Sequence, residues 1–102
     1  MALLHTVNKS PFERDSLASC LRHVRKDSGI LFIEDGIYAL LKGTEPAAML
    51  ADAASEFRLF ALGPDLDARG IDHDRIIEGV EVVDYLGFVD LVSEYDGVQS
   101  WL

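Results

Sequence analysis

The sequence predicts an α/β fold: one compact domain (residues 1–102) whose mostly parallel sheet is flanked by helices. Four short apolar runs are separated by segments with helical periodicity, and this alternation indicates βαβ units. The chain has 102 residues, of which 49% are hydrophobic, so it can bury one core but has no room for a second domain. The predicted strands are Leu3–Val7, Ile30–Ile33, Phe57–Leu62 and Val80–Val83.

The first connecting segment carries the clearest helix signals. Ser10 can cap a helix, Pro11 suits its first position, and Glu13 completes an S-x-x-E capping box. Apolar residues at three- and four-residue spacing then place Cys20 on the buried side of this helix. We expect the helix to end near residues 27–29, where Asp-Ser-Gly interrupts the pattern.

The remaining segments have their own start and stop signals. A Glu-Asp-Gly turn precedes a short helix over residues 37–41, and helical periodicity resumes over 47–55. Residues 63–70 begin with Gly-Pro and end with Gly, which is typical of one or two helical turns. The last helix lies within 84–96, with its start left open by Gly87. Residues 98–102 are predicted as an apolar tail.

Charge and motif content exclude several classes of function. The formal net charge is −9, so the chain is not expected to bind nucleic acid directly. Neither GxGxxG nor GxxxxGK[ST] occurs, so nucleotide binding has no support. No window approaches the ~18 apolar residues of a membrane span. Residues 1–7 lack a signal peptide's basic region, and we therefore expect a cytoplasmic protein without membrane contact.

No complete catalytic or metal site is visible, and no cofactor is predicted. His5, His23 and His73 are scattered and do not have zinc-ligand spacing. Glu34 and Asp35 follow a strand, where open α/β sheets place functional groups and where two carboxylates could hold a divalent cation. Capping of the following helix by Asp35 is the simpler interpretation, because Asp before an apolar run is a routine N-cap.

Cys20 is the chain's single cysteine, so no internal disulfide can form. It lies too far along its helix for the dipole to lower the thiol pKa, and a lone Cys on an apolar side usually serves as a small buried hydrophobe. Arg22, His23 and Arg25 follow closely and could supply a modestly electropositive setting. From the residues alone, a structural role is favoured and a reactive one stays open.

Three stretches together resemble the TusB/DsrH family of sulfur-relay subunits. Residues 4–12 (LHTVNKSPF) are similar to the family's L-H-T…S-P-[FW] opening, and residues 33–37 (IEDGI) to its [DE]-G-V segment. Residues 61–70 (ALGPDLDARG) resemble its A-L-x-x-D-L-x-A-R-G block. The similarity is closest to the DsrH branch of sulfur-oxidising bacteria, because that branch carries a cysteine at the position of Cys20.

The resemblance implies a DsrE/DsrF/DsrH-like fold and a heterohexamer with DsrE-like and DsrF-like subunits. Such complexes relay sulfane sulfur as a cysteine persulfide to a DsrC/TusE-type carrier during cytoplasmic sulfur oxidation. The main acceptor cysteine is expected on the DsrE/TusD-type subunit, which makes this chain a non-autonomous sulfurtransferase component. Cys20 is then the candidate catalytic residue of this subunit, as a secondary sulfur site.

Two alternatives stay open. The chain could be an architectural subunit without sulfur chemistry, or a TusB-like subunit in tRNA 2-thiouridine synthesis. In each case Tyr85, Phe88, Tyr95 and the tail 98–102 could face partner subunits, with packing inside the domain as the other explanation.

Overall fold

The fold is built on one sheet of parallel strands. The computed structural model describes residues 2–12 and 15–101. Its strands are β1 (Leu3–Val7), β2 (Gly29–Phe32), β3 (Arg58–Leu62), β4 (Val80–Val83) and β5 (Gly97–Trp101). They form a 5-stranded sheet in the spatial order β4-β3-β2-β1-β5, and every neighbouring pair is parallel.

Helices connect the successive strands. The α-helices are α1 (Ser16–His23), α2 (Glu45–Ala53), α3 (Gly63–Ala68) and α4 (Tyr85–Glu94). A 3-10 helix, Glu34–Leu40, precedes α2, and a 3-10 turn, His73–Arg75, follows α3. In the part of the chain that the structure describes, no helix is both long and apolar enough to cross a membrane.

The strand order decides which helices share a face of the sheet. From β1 to β4 each strand lies beside its predecessor, and the chain then returns across the whole sheet to β5. Because crossovers between parallel strands are almost always right-handed, this return places α4 on the face opposite the earlier helices. The α1-side core includes Val7, Leu17, Cys20, Phe32, Ile37, Leu50 and Leu66; the α4-side core consists of Leu4, Leu31, Phe60 and Leu91.

The predicted fold class and all four predicted strands are confirmed. β1 and β4 have the predicted bounds, β2 lies one residue earlier at both ends, and β3 begins one residue later than predicted. Every residue of β2 is buried, which agrees with an interior parallel strand covered on both faces.

The residues predicted as an apolar tail form an edge strand instead. β5 pairs with β1 along its whole length, from Leu3 opposite Gly97 to Val7 opposite Trp101. Trp101 packs against the α1-side core, whereas Leu102 lies outside the described residues. The sequence did not predict this strand because most of its residues are polar or exposed and give no apolar strand pattern. Only its pairing with the distant strand β1 identifies it.

The first helix is shorter than predicted at both ends. It begins at Ser16 rather than Pro11, and the Ser10 hydroxyl accepts a hydrogen bond from the backbone N–H two residues later, at 3.2 Å. This bond favours a local turn over a helix cap. Glu13 of the predicted capping box lies outside the described residues. The helix ends at His23, several residues before the predicted end, and the C-cap residue Val24 has an extended backbone (ψ 140°).

Side-chain caps define where α2 and α4 begin. The Thr44 hydroxyl accepts a hydrogen bond from the Ala47 N–H at 3.3 Å, and Asp84 Oδ1 accepts one from the Gly87 N–H at 2.8 Å. Such caps satisfy N–H groups that have no partner within the helix. The Asp84 cap therefore settles the helix start that Gly87 had left open in the sequence.

A glycine joins the 3-10 helix to the end of β1. The Ile33 N–H donates to the Val7 carbonyl oxygen at 3.0 Å, and Gly36 packs against the same carbonyl. A Cβ at Gly36 would collide with the Val7 backbone. Gly36 is thus required by close backbone approach, which accounts for the glycine of the IEDGI segment.

We expect Gly36→Ala to lower the free energy of unfolding by about 3 kcal/mol, because two backbone segments would have to separate. Gly43→Ala is the matched comparison: its Cβ meets open space, and its φ of +84° leaves only a strain of about 1 kcal/mol. Urea denaturation of both variants measures the difference. If both variants lost the same free energy of unfolding, the close contact between Gly36 and the Val7 backbone would not be what makes the substitution costly.

Candidate functional site

Cys20, the predicted site residue, lies in the interior of the domain. It belongs to α1 and to the α1-side core, and its side chain is 0% exposed. Burial raises the pKa of the Cys20 thiol to about 12. At neutral pH the thiol is therefore protonated, whereas sulfur transfer requires a thiolate.

The basic residues near Cys20 do not activate it in this conformation. Arg22 and His23 are exposed, and both contact Ser19: Arg22 Nη2 donates to the Ser19 hydroxyl at 3.2 Å, and His23 Nδ1 lies 2.7 Å from the Ser19 carbonyl oxygen. Desolvation alone raises the Cys20 pKa, without an opposing effect from neighbouring charge. The arrangement favours packing for Cys20, and its role as a sulfur carrier stays a prediction.

We expect the folded chain to resist thiol labelling. With a pKa of about 12, only about one thiol in 10,000 is ionised at pH 8, and burial further restricts access. Reaction with Ellman's reagent should become fast only when urea unfolds the chain. A Cys20→Ala/Ser93→Cys variant provides an exposed thiol on α4 as the control. Rapid labelling of Cys20 at native pH, as fast as that control, would contradict this burial.

The structure brings together two histidines that the sequence had left scattered. The Trp101 indole N–H donates to His5 Nδ1 at 3.0 Å. The ring centroid of Trp101 lies 6.2 Å from that of His5 and 5.5 Å from that of His23. Trp101 therefore lies against both imidazoles and connects β5 to β1 and α1. The sequence alone could not indicate this contact, because His5 and Trp101 come together only through the pairing of β1 with β5.

The hydrogen bond fixes the protonation state of His5. An indole nitrogen can only donate, so His5 Nδ1 must accept and carry no proton. His5 is buried, and desolvation followed by the positive charge of nearby His23 lowers the pKa of its imidazole. His5 is thus neutral in the folded chain and acts as an acceptor that holds the edge strand.

Acid should therefore destabilise the chain. The unfolded chain binds a proton at His5 near pH 6.5, while the folded chain binds it only at lower pH. Stability contributed by His5 is complete above pH 6.5 and declines as the pH falls below it. Urea denaturation followed by the fluorescence of Trp101, the single tryptophan, measures this decline.

His5→Asn keeps an acceptor near the Nδ1 position but cannot take up a proton, so it should flatten the pH dependence between pH 7.5 and 5.5. His73→Asn alters an exposed histidine beside Asp67 and is the control. An unchanged pH profile in His5→Asn would show that another group is responsible.

The predicted carboxylate pair lies at the carboxyl end of the sheet, and an arginine holds one of its two members, Asp35. Arg69 Nε donates to Asp35 Oδ1 at 3.0 Å, and the Glu34 N–H donates to Asp65 Oδ2 at 2.7 Å. Glu34 has a left-handed φ of 49°, which few non-glycine residues adopt. The interpretation of Asp35 as a helix cap is wrong, because Ile33 is the N-cap residue and no side chain caps the 3-10 helix.

This cluster links two of the sequence blocks. Asp35 comes from the IEDGI segment, and Asp65 and Arg69 come from the ALGPDLDARG segment. The Arg69 guanidinium occupies the position beside the carboxylates that a bound cation would need. Among residues 2–12 and 15–101, no group of three or more His, Cys, Asp and Glu side chains is arranged to hold a metal ion. The cluster joins the 3-10 helix that follows β2 to α3 and its C-cap residue Arg69.

The aromatic residues predicted to face partners divide between two environments. Phe88 and Tyr95 pack against the α4-side core, whereas Tyr85 is exposed. Leu86 and Val89 are also exposed and were not predicted as surface residues. α4 therefore carries apolar residues beyond those that pack against the sheet.

Comparison with known proteins places the chain in a family. Residues 9–98 match the family model described as "DsrH like protein". Protein TusB of Photorhabdus laumondii is 34% identical over 99 residues, which cover 97% of this chain and 100% of the relative. Protein TusB of Yersinia enterocolitica has the same identity and coverage. The chain belongs to the DsrH-like family. The predicted TusB/DsrH membership is thereby confirmed.

Solved structures share the fold of this DsrH-like chain. The ychN protein from E. coli superposes with a TM-score of 0.78 over 98% of both chains, at 18% sequence identity. Protein MTH1491 from Methanobacterium thermoautotrophicum has a TM-score of 0.76 at 20% identity, covering 96% of this chain and 97% of its own. At such low identity these structures support the fold alone.

Proposed function

We propose that this DsrH-like chain is a structural and docking subunit of a multisubunit sulfur relay. Its membership of the DsrH-like family supports a place in such a relay. The burial of Cys20 is the observation that carries the structural role, because the chain has no other thiol on which to bind sulfur. Sulfur would then be carried on cysteines of a DsrE-like subunit and a DsrC/TusE-type carrier.

Of the two pathways, we favour the TusB-like role in tRNA 2-thiouridine synthesis over sulfur oxidation in a DsrEFH-like complex. The relatives with 34% identity over nearly the whole chain are named TusB. Cys20 had favoured the sulfur-oxidation branch, but its complete burial offers a packing reason for a cysteine at this position. Direct tRNA contact is not required of this acidic subunit.

Co-expression with the DsrE-like and DsrF-like subunits of the same genome tests the assembly. We expect native mass spectrometry to detect a complex that contains this chain, with two copies of each subunit. Complementation of a bacterium lacking its own TusB, followed by nucleoside analysis of 2-thiouridine, then tests the pathway. If the chain assembles but does not restore 2-thiouridine, the sulfur-oxidation role is favoured instead.

Cys20→Ala tests whether this subunit carries sulfur. We expect the variant to assemble and to support sulfur transfer at the wild-type rate, with a cost of about 1–2 kcal/mol in stability from lost core packing. Alanine replacement of the acceptor cysteine on the DsrE-like subunit is the positive control and should abolish transfer. The structural role is contradicted if Cys20 gains 32 Da of sulfur mass (about one sulfur atom) during transfer, or if Cys20→Ala assembles without transferring.

A further inference from the structure

Helix α4 has an apolar surface that the domain itself leaves uncovered. Its inner side, with Phe88, Leu91 and Tyr95, packs against the α4-side core. α4 is the single helix on this face of the sheet among the described residues. No neighbouring helix therefore shields its sides, in contrast to the opposite face.

The remaining apolar residues of α4 are exposed. Leu86 is 76% exposed, Val89 62%, Tyr85 60% and Val92 40%. We call these four residues the α4 stripe. Tyr85, Val89 and Val92 recur at four- and three-residue steps, and Leu86 lies beside them, so they form one connected surface. A helix at a free protein surface normally presents polar residues on this side, which indicates that another protein covers the α4 stripe.

One margin of the α4 stripe is acidic. Asp90 lies one turn after Leu86, and Glu94 lies one turn after Asp90, so their carboxylates form a row along the helix. The two residues line a groove together with Glu81 of β4 and Arg58 of β3, and the Arg58 guanidinium pairs with Glu81 at 3.5 Å and with Glu94 at 3.4 Å. The segment 85–94 contains no Lys, Arg or His, and among the described residues no cation pairs with Asp90, so Asp90 is the carboxylate of this margin that a partner's cation can reach.

We propose that the α4 stripe docks a different protein chain, whose contacting surface is apolar and bordered by Lys or Arg. The apolar part would supply the burial that stabilises the contact, and the basic border would pair with Asp90 and the acidic margin. This inference rests on the proposed function for the identity of that chain, a neighbouring subunit of the relay. It goes further by naming the surface and the chemistry that recognises it.

A second copy of this chain fits the α4 stripe poorly. Two α4 helices packed antiparallel about a two-fold axis would bring their acidic margins to the same side of the contact. Parallel packing would leave each margin beside a helix without cations. Each copy also carries a formal net charge of −9, which adds long-range repulsion. The charge pattern therefore selects a partner unlike this chain.

Val89→Glu in the co-expressed complex tests the apolar contact. Glutamate is a good helix former, so the exposed side chain changes while α4 persists. We expect the variant to bind the DsrE-like and DsrF-like subunits about tenfold more weakly or worse. Met49→Glu makes the same change at an exposed position on α2 and should leave binding unchanged. Circular dichroism confirms that both variants are folded.

Asp90→Lys tests the basic border of the partner. Reversal of charge in the acidic margin should weaken binding several-fold, and added salt should weaken the wild-type contact as well. Asp52→Lys changes the net charge equally at an exposed position on α2 and is the control. Equal binding by Asp90→Lys and Asp52→Lys would refute the proposed charge pairing.

Sedimentation of the isolated chain tests the choice of partner. We expect a monomer, whereas a dimer that Val89→Glu dissociates would show that a second copy covers the α4 stripe. The outcomes also separate this inference from the proposed function. Failure of the wild-type chain to join the relay subunits contradicts the proposed function. Equal assembly of the wild-type chain and Val89→Glu contradicts the α4 stripe as docking surface.

Discussion

The return of the chain from β4 at one edge of the sheet to β5 at the other is the constraint on which the molecule depends. The first four strands advance in one direction, so their connecting helices accumulate on one face. The single return crossover leaves α4 alone on the opposite face. One face thus becomes a closed core, while on the other face apolar residues of α4 stay exposed.

The same asymmetry bears on the environment of Cys20. Cys20 is a residue of α1 on the face that carries most of the helices, and its burial in the α1-side core keeps its thiol protonated. At the carboxyl end of the sheet, where α/β proteins usually bind ligands, Arg69 pairs with Asp35 and Asp65. The polar side chains of Arg69, Asp35 and Asp65 are therefore bonded to one another at this end of the sheet. The exposed apolar residues of α4 are suited to protein contact.

The sequence predicted those parts of the molecule that depend on local pattern. β1 and β4 were located to the residue because their apolar runs are short and bounded by clear breaks. β5 was missed because its pairing with β1 is a contact between distant segments, which no local window contains. The start of α1 was misplaced because the Ser10 hydroxyl makes a turn within its own neighbourhood.

The candidate site was predicted less completely for the same reason. The helical position of Cys20 indicated burial, but only the packed core shows how far its pKa rises. The bond between Trp101 and His5 and the bond between Arg69 and Asp35 each join segments far apart in the sequence. The sequence grouped Tyr85 with Phe88 as residues that could face partners, yet it could not tell that Phe88 packs against the sheet while Tyr85 is exposed.

The pairing of β1 with β5 also bears on the order in which the chain folds. Thr6 and Ser100 contact each other across 94 positions, so closing this part of the sheet has a large entropic cost. We expect β1–β4 and their helices to assemble first and β5 to join last. Until then one edge of β1 remains unpaired, and such an edge is a template for pairing with other chains. Trp101, by anchoring β5 against His5 and the core, would end this vulnerable interval.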